Sequence, residues 1–276
     1  MRTLLIRADG PLLLLPFAAI MTSNDAYLVE RFTLERVHTL GKGHHGMAKD
    51  EPETLRFAGF AYAGGDENAS DARSPAGRLQ HVNEEIEWAS AQFGSTAERY
   101  FGVHATETRA KEVGGRRVLH FASHAVVNPV EPLNSYISLA ADEQNDGRFE
   151  LWELMADLSL DGGLVVLSGC QTALGPNFPG EGLFGLAKGF AYAGADAVIA
   201  SLWAIDDAST MHLSQSFYRE LSAGRSRAEA LAQAQRALLS GEVPRSGRWR
   251  RWLGIDPVDH YRHPYYWASL TLTRMR

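Results

Sequence analysis

Leu164-Val165-Val166-Leu167-Ser168-Gly169-Cys170-Gln171-Thr172 sets four consecutive apolar residues ahead of small ones, then the only cysteine in 276 positions. An apolar run this short, bounded by glycines, reads as a strand buried on both faces, as in a parallel sheet. Cys170 then falls just past the carboxyl end of that strand, the edge where open α/β sheets place their chemistry. Val118-Leu119-His120-Phe121-Ala122 has the same form, and Ser123-His124-Ala125 follows it at once. If the two strands are parallel neighbours, His124 and Cys170 leave the same edge of the sheet.

A thiol beside an imidazole is a reactive pair. The free thiol has a pKa of about 8.5 and is mostly protonated at neutral pH, so it needs a neighbour that takes its proton and later returns one to a leaving amine. The competing reading is that a lone cysteine behaves as a small buried hydrophobe. His120 lies inside the apolar run and reads as a satisfied core residue. His124 precedes Cys170 by 46 residues (124 to 170), close to the caspase separation of about 50, although Ser-Gly-Cys-Gln-Thr is not the caspase string.

Composition narrows the alternatives. A hydrophobic content of 45% is ample for a sizeable core. A formal charge of −6 and a pI near 5.9 argue against a general nucleic-acid footprint. The basic and aromatic run Arg245 to Trp252 reads as a solvated loop. One cysteine excludes an internal disulfide and a multi-cysteine zinc site, and His44-His45 lacks a third ligand at suitable spacing, so no metal or other cofactor is expected. Arg7 and Asp9 interrupt the first apolar run and Gly10-Pro11 breaks it again, unlike a secretory leader, and no stretch is long enough to span a bilayer. The expectation is a soluble, cytoplasmic protein. The chain starts directly in a strand-like segment, which suits either a fragment of a longer protein or a compact stand-alone version.

Taken in order, Thr3–Arg7 and Leu12–Leu15 are expected to form a hairpin or adjacent strands across Asp9-Gly10. Tyr27–Val29, Phe32–Leu34 and Phe57–Ala61 read as further strands, and residues 64–78 as a long loop. A helix is expected from Asn83 to Phe93, with Glu84, Glu85 and Glu87 near its start complementing the macrodipole. Tyr136–Leu139 reads as a strand and Leu151–Leu158 as a helix. Glu181–Ala193 is a helix whose glycines have the wrong spacing for a phosphate loop and instead suggest close packing on the sheet. Ala197–Leu202 is another buried strand. Leu213, Phe217 and Leu221 mark a helix ending at Gly224, and Ser226 to Glu229 is a capping box for the next. Strands alternating with helices define an α/β fold with a mainly parallel sheet flanked by helices.

Three strands thus deliver polar residues to one edge: His124, Cys170 and the pair Asp206-Asp207. For the aspartates an N-cap role competes with an acidic wall for basic side chains.

These residues also carry a family resemblance. Val118-Leu-His-Phe-Ala-Ser-His124, Leu167-Ser-Gly-Cys170-Gln-Thr, Gly180-Glu-Gly182, Ser201-Leu-Trp203, Asp207, Phe217-Tyr218, His263-Pro-Tyr-Tyr-Trp267-Ala and Leu15-Pro16-Phe17-Ala18-Ala19 resemble the CHAT domain, a caspase-clan relative of separase. The resemblance runs through nearly the whole chain, with 1–75 as the N-terminal part of the domain and 76–276 as its caspase-like catalytic part. It implies a cysteine endopeptidase with His124 as base and Cys170 as nucleophile. Backbone N–H groups of Ala125 and Cys170 would hold the oxyanion, and Asp207, then Asp206, the basic residue of a protein or peptide substrate. Ala125 replaces a glycine common in the family. Helical repeats often precede such domains, but no 34-residue repeat is present here. A regulator would therefore be another part of a longer protein or a separate chain. The alternative is a catalytically silent interaction module of the same fold. A serine hydrolase is disfavoured by the absence of a G-x-S-x-G elbow.

Overall fold

The computed structural model describes residues 2–8, 10–37, 56–64, 79–115, 117–128, 130–168, 181–204, 206–242 and 261–275. In chain order its strands are β1 Arg2–Ile6, β2 Phe32–Val37, β3 Arg56–Tyr62, β4 Glu98–Phe101, β5 Arg117–Ser123, β6 Ala125–Val126, β7 Tyr136–Ser138, β8 Arg148–Glu150, β9 Gly163–Leu167, β10 Ala197–Ser201 and β11 Leu270–Arg274. The helices are α1 Leu28–Arg31, α2 Val82–Ala91, α3 Glu107–Glu112, α4 Leu151–Asp157, α5 Glu181–Tyr192, α6 Asp207–Ser222, α7 Arg227–Ser240 and α8 Pro264–Trp267.

One sheet has the order β1-β2-β11-β10-β9-β5-β3-β4. The run from β10 to β4 is parallel throughout, while β11 pairs antiparallel with β10 and parallel with β2. Every residue of β9 and β10 is buried, as unbroken apolar runs require when helices cover both faces. On one face Val118, Ala122, Leu164 and Val166 meet Ile86 of α2, Phe217 of α6 and Leu231 of α7. On the other, Leu119, Phe121, Val165 and Leu167 meet Leu154 of α4 and Phe190 of α5. Strands from 1–75 and from 76–276 share this sheet. A small antiparallel ribbon, β6-β7-β8, follows β5 at the sheet's carboxyl edge.

Several local expectations are corrected. Thr3–Arg7 and Leu12–Leu15 form no hairpin, because β1 pairs in parallel with β2 and Gly10–Leu14 is a 3-10 turn. The carbonyls of Leu13 and Leu15 accept from the Arg36 guanidinium at 2.5 and 2.6 Å, so a side chain takes the place of a partner strand. Burial pushes that guanidinium down to about 10. Tyr27–Val29 is no strand either, since Glu30 accepts from the Tyr27 N–H and opens the single turn α1. The short elements β4 and α3 lack a readable pattern and escape prediction. Ser226 and Glu229 do form the expected capping box, and Gly224 follows α6 at φ +83°.

Gly189 of α5 allows close approach to helix α4 rather than to the sheet. A Cβ on Gly189 would lie 2.2 Å from Leu151 Cδ1, whereas one on Gly185 would meet Leu151 Cδ2 at an ordinary 3.7 Å. Gly189→Ala is therefore expected to destabilise by about 1–3 kcal/mol through overpacking. Gly185→Ala should be neutral or stabilising by up to about 1 kcal/mol from helix propensity. Denaturant titration of both variants checks the contrast.

Candidate active site

β5 and β9 pair in parallel with His120 opposite Val166 and Phe121 opposite Leu167. Each pair is 46 apart in residue number, the separation of His124 from Cys170. His124 immediately follows β5 at the carboxyl edge; Cys170, with 169 and 171–180, lies outside the described residues. The His124 carbonyl accepts from the Ser138 N–H at 2.8 Å, which holds the residue against β7. Its side chain is 8% exposed and packs beside Gly64, where a Cβ would stand 3.4 Å from the ring's Cδ2. Gly64, at φ +80°, follows β3, whose Tyr62 pairs with Ser123. Sequence reading placed Gly64 in a loop and missed it; the only available signal was a glycine just past a buried strand.

Ala125 opens β6 opposite Ile137. Because Ser138 N–H bonds to the preceding carbonyl, that of His124, Ala125 and Ile137 form a non-hydrogen-bonded pair. The Ala125 N–H is accordingly directed away from β7. The ribbon is anchored from below by Lys111, whose Nζ donates to Asn145 at 2.7 Å and Glu153 at 2.9 Å and lies 2.8 and 3.2 Å from the carboxylates of Glu107 and Asp157. Burial works to lower the Lys111 pKa, but the three carboxylates outweigh it and hold the ammonium above its ordinary range. Glu107 also accepts from the Gly147 N–H at 3.1 Å, tying α3 to the turn before β8.

Asp206 and Asp207 lie beyond the carboxyl end of β10, on the same edge as His124. Asp206 is exposed and is the N-cap of α6, its Oδ1 accepting from Ser209 N–H at 2.9 Å. Asp207 is half-buried, and its Oδ2 accepts from the N–H groups of Gln80 and His81 at 2.6 and 2.8 Å, joining α6 to the segment entering α2. The turn after β10 is braced by the C-terminal motif. Trp203 Nε1 donates to the Tyr265 carbonyl at 3.0 Å, and the Tyr265 hydroxyl donates to that of Ala204 at 2.9 Å.

Below the edge lies a polar cluster that sequence reading found only in part. His120 is fully buried, as expected of a core residue, with Nε2 at 2.8 Å from Ser168 Oγ and 3.0 Å from Glu85 Oε1. Its Nδ1 is 3.1 Å from the Tyr218 hydroxyl. Glu85, expected near the start of a helix as a complement to its macrodipole, is 2% exposed. It lies against the core imidazole, a neighbour that local sequence does not reveal. Burial and the charge of Glu85 push the Tyr218 phenol well above its ordinary range. Serine, histidine and glutamate do not form a hydrolytic triad here, because the serine and the acid share one ring nitrogen instead of occupying opposite ones.

An α/β sheet with its polar side chains gathered at the carboxyl edge of adjoining parallel strands defines the class of protein. More particularly, the chain belongs to the CHAT domain family, whose model matches residues 1–275. It is 26% identical over 314 residues to human tetratricopeptide repeat protein 28 and 27% over 312 to the mouse protein. Each comparison covers 98% of this chain but 12% of the relative, so the chain spans about an eighth of the curated relatives it matches. Among solved structures, the Arg-specific cysteine proteinase gingipain R aligns at a TM-score of 0.42 and 12% identity, covering 82% of this chain and 47% of that one. Among the described residues no helix is long and apolar enough to cross a membrane, and no group of three or more His, Cys, Asp or Glu could hold a metal.

The two aspartates are expected to differ when truncated. Asp206→Ala should cost about 1 kcal/mol as a lost N-cap. Asp207→Ala should cost about 1–3 kcal/mol, because two backbone N–H groups lose a charged acceptor. Urea unfolding without any substrate present measures both.

Proposed function

We propose that this chain is a caspase-like cysteine endopeptidase acting on protein or peptide substrates, with His124 as base and Cys170 as nucleophile. The observation that carries this reading is the β5–β9 register. If its spacing continues for three residues past Phe121 and Leu167, Cys170 comes opposite His124. His124 then takes the thiol proton, and the thiolate attacks the scissile carbonyl. The oxyanion is held by the N–H groups of Ala125 and Cys170, where loss of one donor typically costs about 3–4 kcal/mol. His124 returns its proton to the departing amine, and water releases the acyl group in a second, mirrored step.

A preference for Arg or Lys follows from Asp207 first and Asp206 second, both beyond β10. A carboxylate has about four acceptor sites, and the Gln80 and His81 N–H groups both fall on Oδ2 of Asp207. Regulation by a helical-repeat segment or separate repeat protein is supported by the name of the tetratricopeptide repeat relatives.

The test is labelling of the full chain by a peptidyl electrophile with arginine next to the warhead, followed by mass mapping of the adduct. Labelling is expected at Cys170, slowed about 10²–10⁴-fold by His124→Ala as for a lost general base. Labelling indifferent to that substitution would favour the silent interaction module, and equal labelling by a probe lacking a basic residue would remove the acidic pocket.

A further inference from the structure

We propose that Glu85, His120, Ser168 and Tyr218 are positioning residues: a buried polar strut that holds the carboxyl ends of β5 and β9 in one alignment, and with them the base against the nucleophile. The inference rests on the reading of His124 and Cys170 given above.

Placement is the first argument. Side chains along a strand alternate faces, so His120, Ala122 and His124 share one row, and Leu164, Val166 and Ser168 share the neighbouring row. Val118, Ala122, Leu164 and Val166 all lie in the core beneath α2 and α6, and His120 and Ser168 are the polar members of that face. Ser168 is held to β5 twice, by its N–H donating to the Phe121 carbonyl at 3.2 Å and by its hydroxyl at 2.8 Å from His120 Nε2. It is also the last described residue before the segment containing Cys170.

Energetics is the second. Replacing buried polar and charged groups with well-packed apolar residues of similar volume is often neutral or stabilising, so stability alone does not account for such a cluster here. Apolar contacts are non-directional. Hydrogen bonds in a low-dielectric core, by contrast, specify one geometry. The ring of His120 is hydrogen-bonded at both nitrogens, to Ser168 on one side and Tyr218 on the other, with Glu85 Oε1 3.0 Å from the first. α2 and α6 thereby fix the strand that His124 immediately follows. An error of about 1 Å between reacting groups can cost about 10²-fold in rate.

The experiment follows alkylation of Cys170 by iodoacetamide in the full chain from pH 5 to 10, read by mass spectrometry. Circular dichroism and the thermal midpoint confirm folding. The wild-type rate should inflect below the free-thiol value of about 8.5, and His124→Ala should move it back. If His124→Ala leaves the profile unchanged, the base–nucleophile reading fails and the strut falls with it. If the profile depends on His124, Ser168→Ala and Glu85→Gln should each raise the inflection and slow alkylation at pH 7 about tenfold while the protein stays folded. Ser168→Thr, which restores the hydroxyl, should return the wild-type profile. A folded Ser168→Ala variant with the wild-type profile overturns the strut and leaves the reading of His124 intact. So does a Thr variant that behaves like Ala, since that assigns Ser168 to packing. Should Glu85→Gln not fold, the Ser168 pair decides.

Discussion

Two strands buried on both faces cannot slide past one another. Moving β5 against β9 by one residue would exchange the row containing Val166 and Ser168 for the row containing Val165 and Leu167, and set every contact against the wrong layer of helices. That constraint makes the carboxyl edge of the sheet a fixed platform. His124 belongs to it by position in the chain, and the aspartates beyond β10 belong to it because β10 is the next parallel strand.

What the sheet does not fix, polar contacts do. The β6-β7-β8 ribbon buries Ile137 and Phe149 in the core and begins at Ala125. Its attachment runs through the Ser138 bond to His124 and through the carboxylate-lined Lys111 beneath it. Asp207 ties α6 to the entry of α2, and Trp203 and Tyr265 brace the turn between β10 and α6. Each of these contacts holds a loop at the edge. The His120 cluster, one layer deeper, connects the same helices to the same strands. Holding His124 among so many supports suits a residue whose task depends on alignment more than on motion. It also leaves the outer edge strand β1, with Leu4 and Leu5 exposed, outside the constrained region.

Where the chain is buried on both faces, composition alone revealed it. Val118–Ala122, Leu164–Leu167 and Ala197–Leu202 are mainly apolar runs, broken only by His120 and Ser201, and each is buried along its length, as is Phe57–Ala61. Helices with a regular apolar stripe, such as α6, were equally legible. Local chemistry misled where a distant partner intervened. Leu12–Leu15 resembles a strand until Arg36 caps its carbonyls, and Glu85 resembles a surface residue until His120 appears beside it.

The sequence by itself determined the α/β class, the polar residues following the buried strands, and the motifs that place the chain among CHAT domains. These rest on periodicity and on residue order, which are local properties. Only tertiary structure decided that β5 and β9 are neighbours in a 46-residue register, that Gly64 packs beside the His124 ring, and that Asp207 receives two backbone donors from far along the chain. Those facts depend on which surfaces meet when the sheet closes, and no single stretch of chain contains both sides of such a contact.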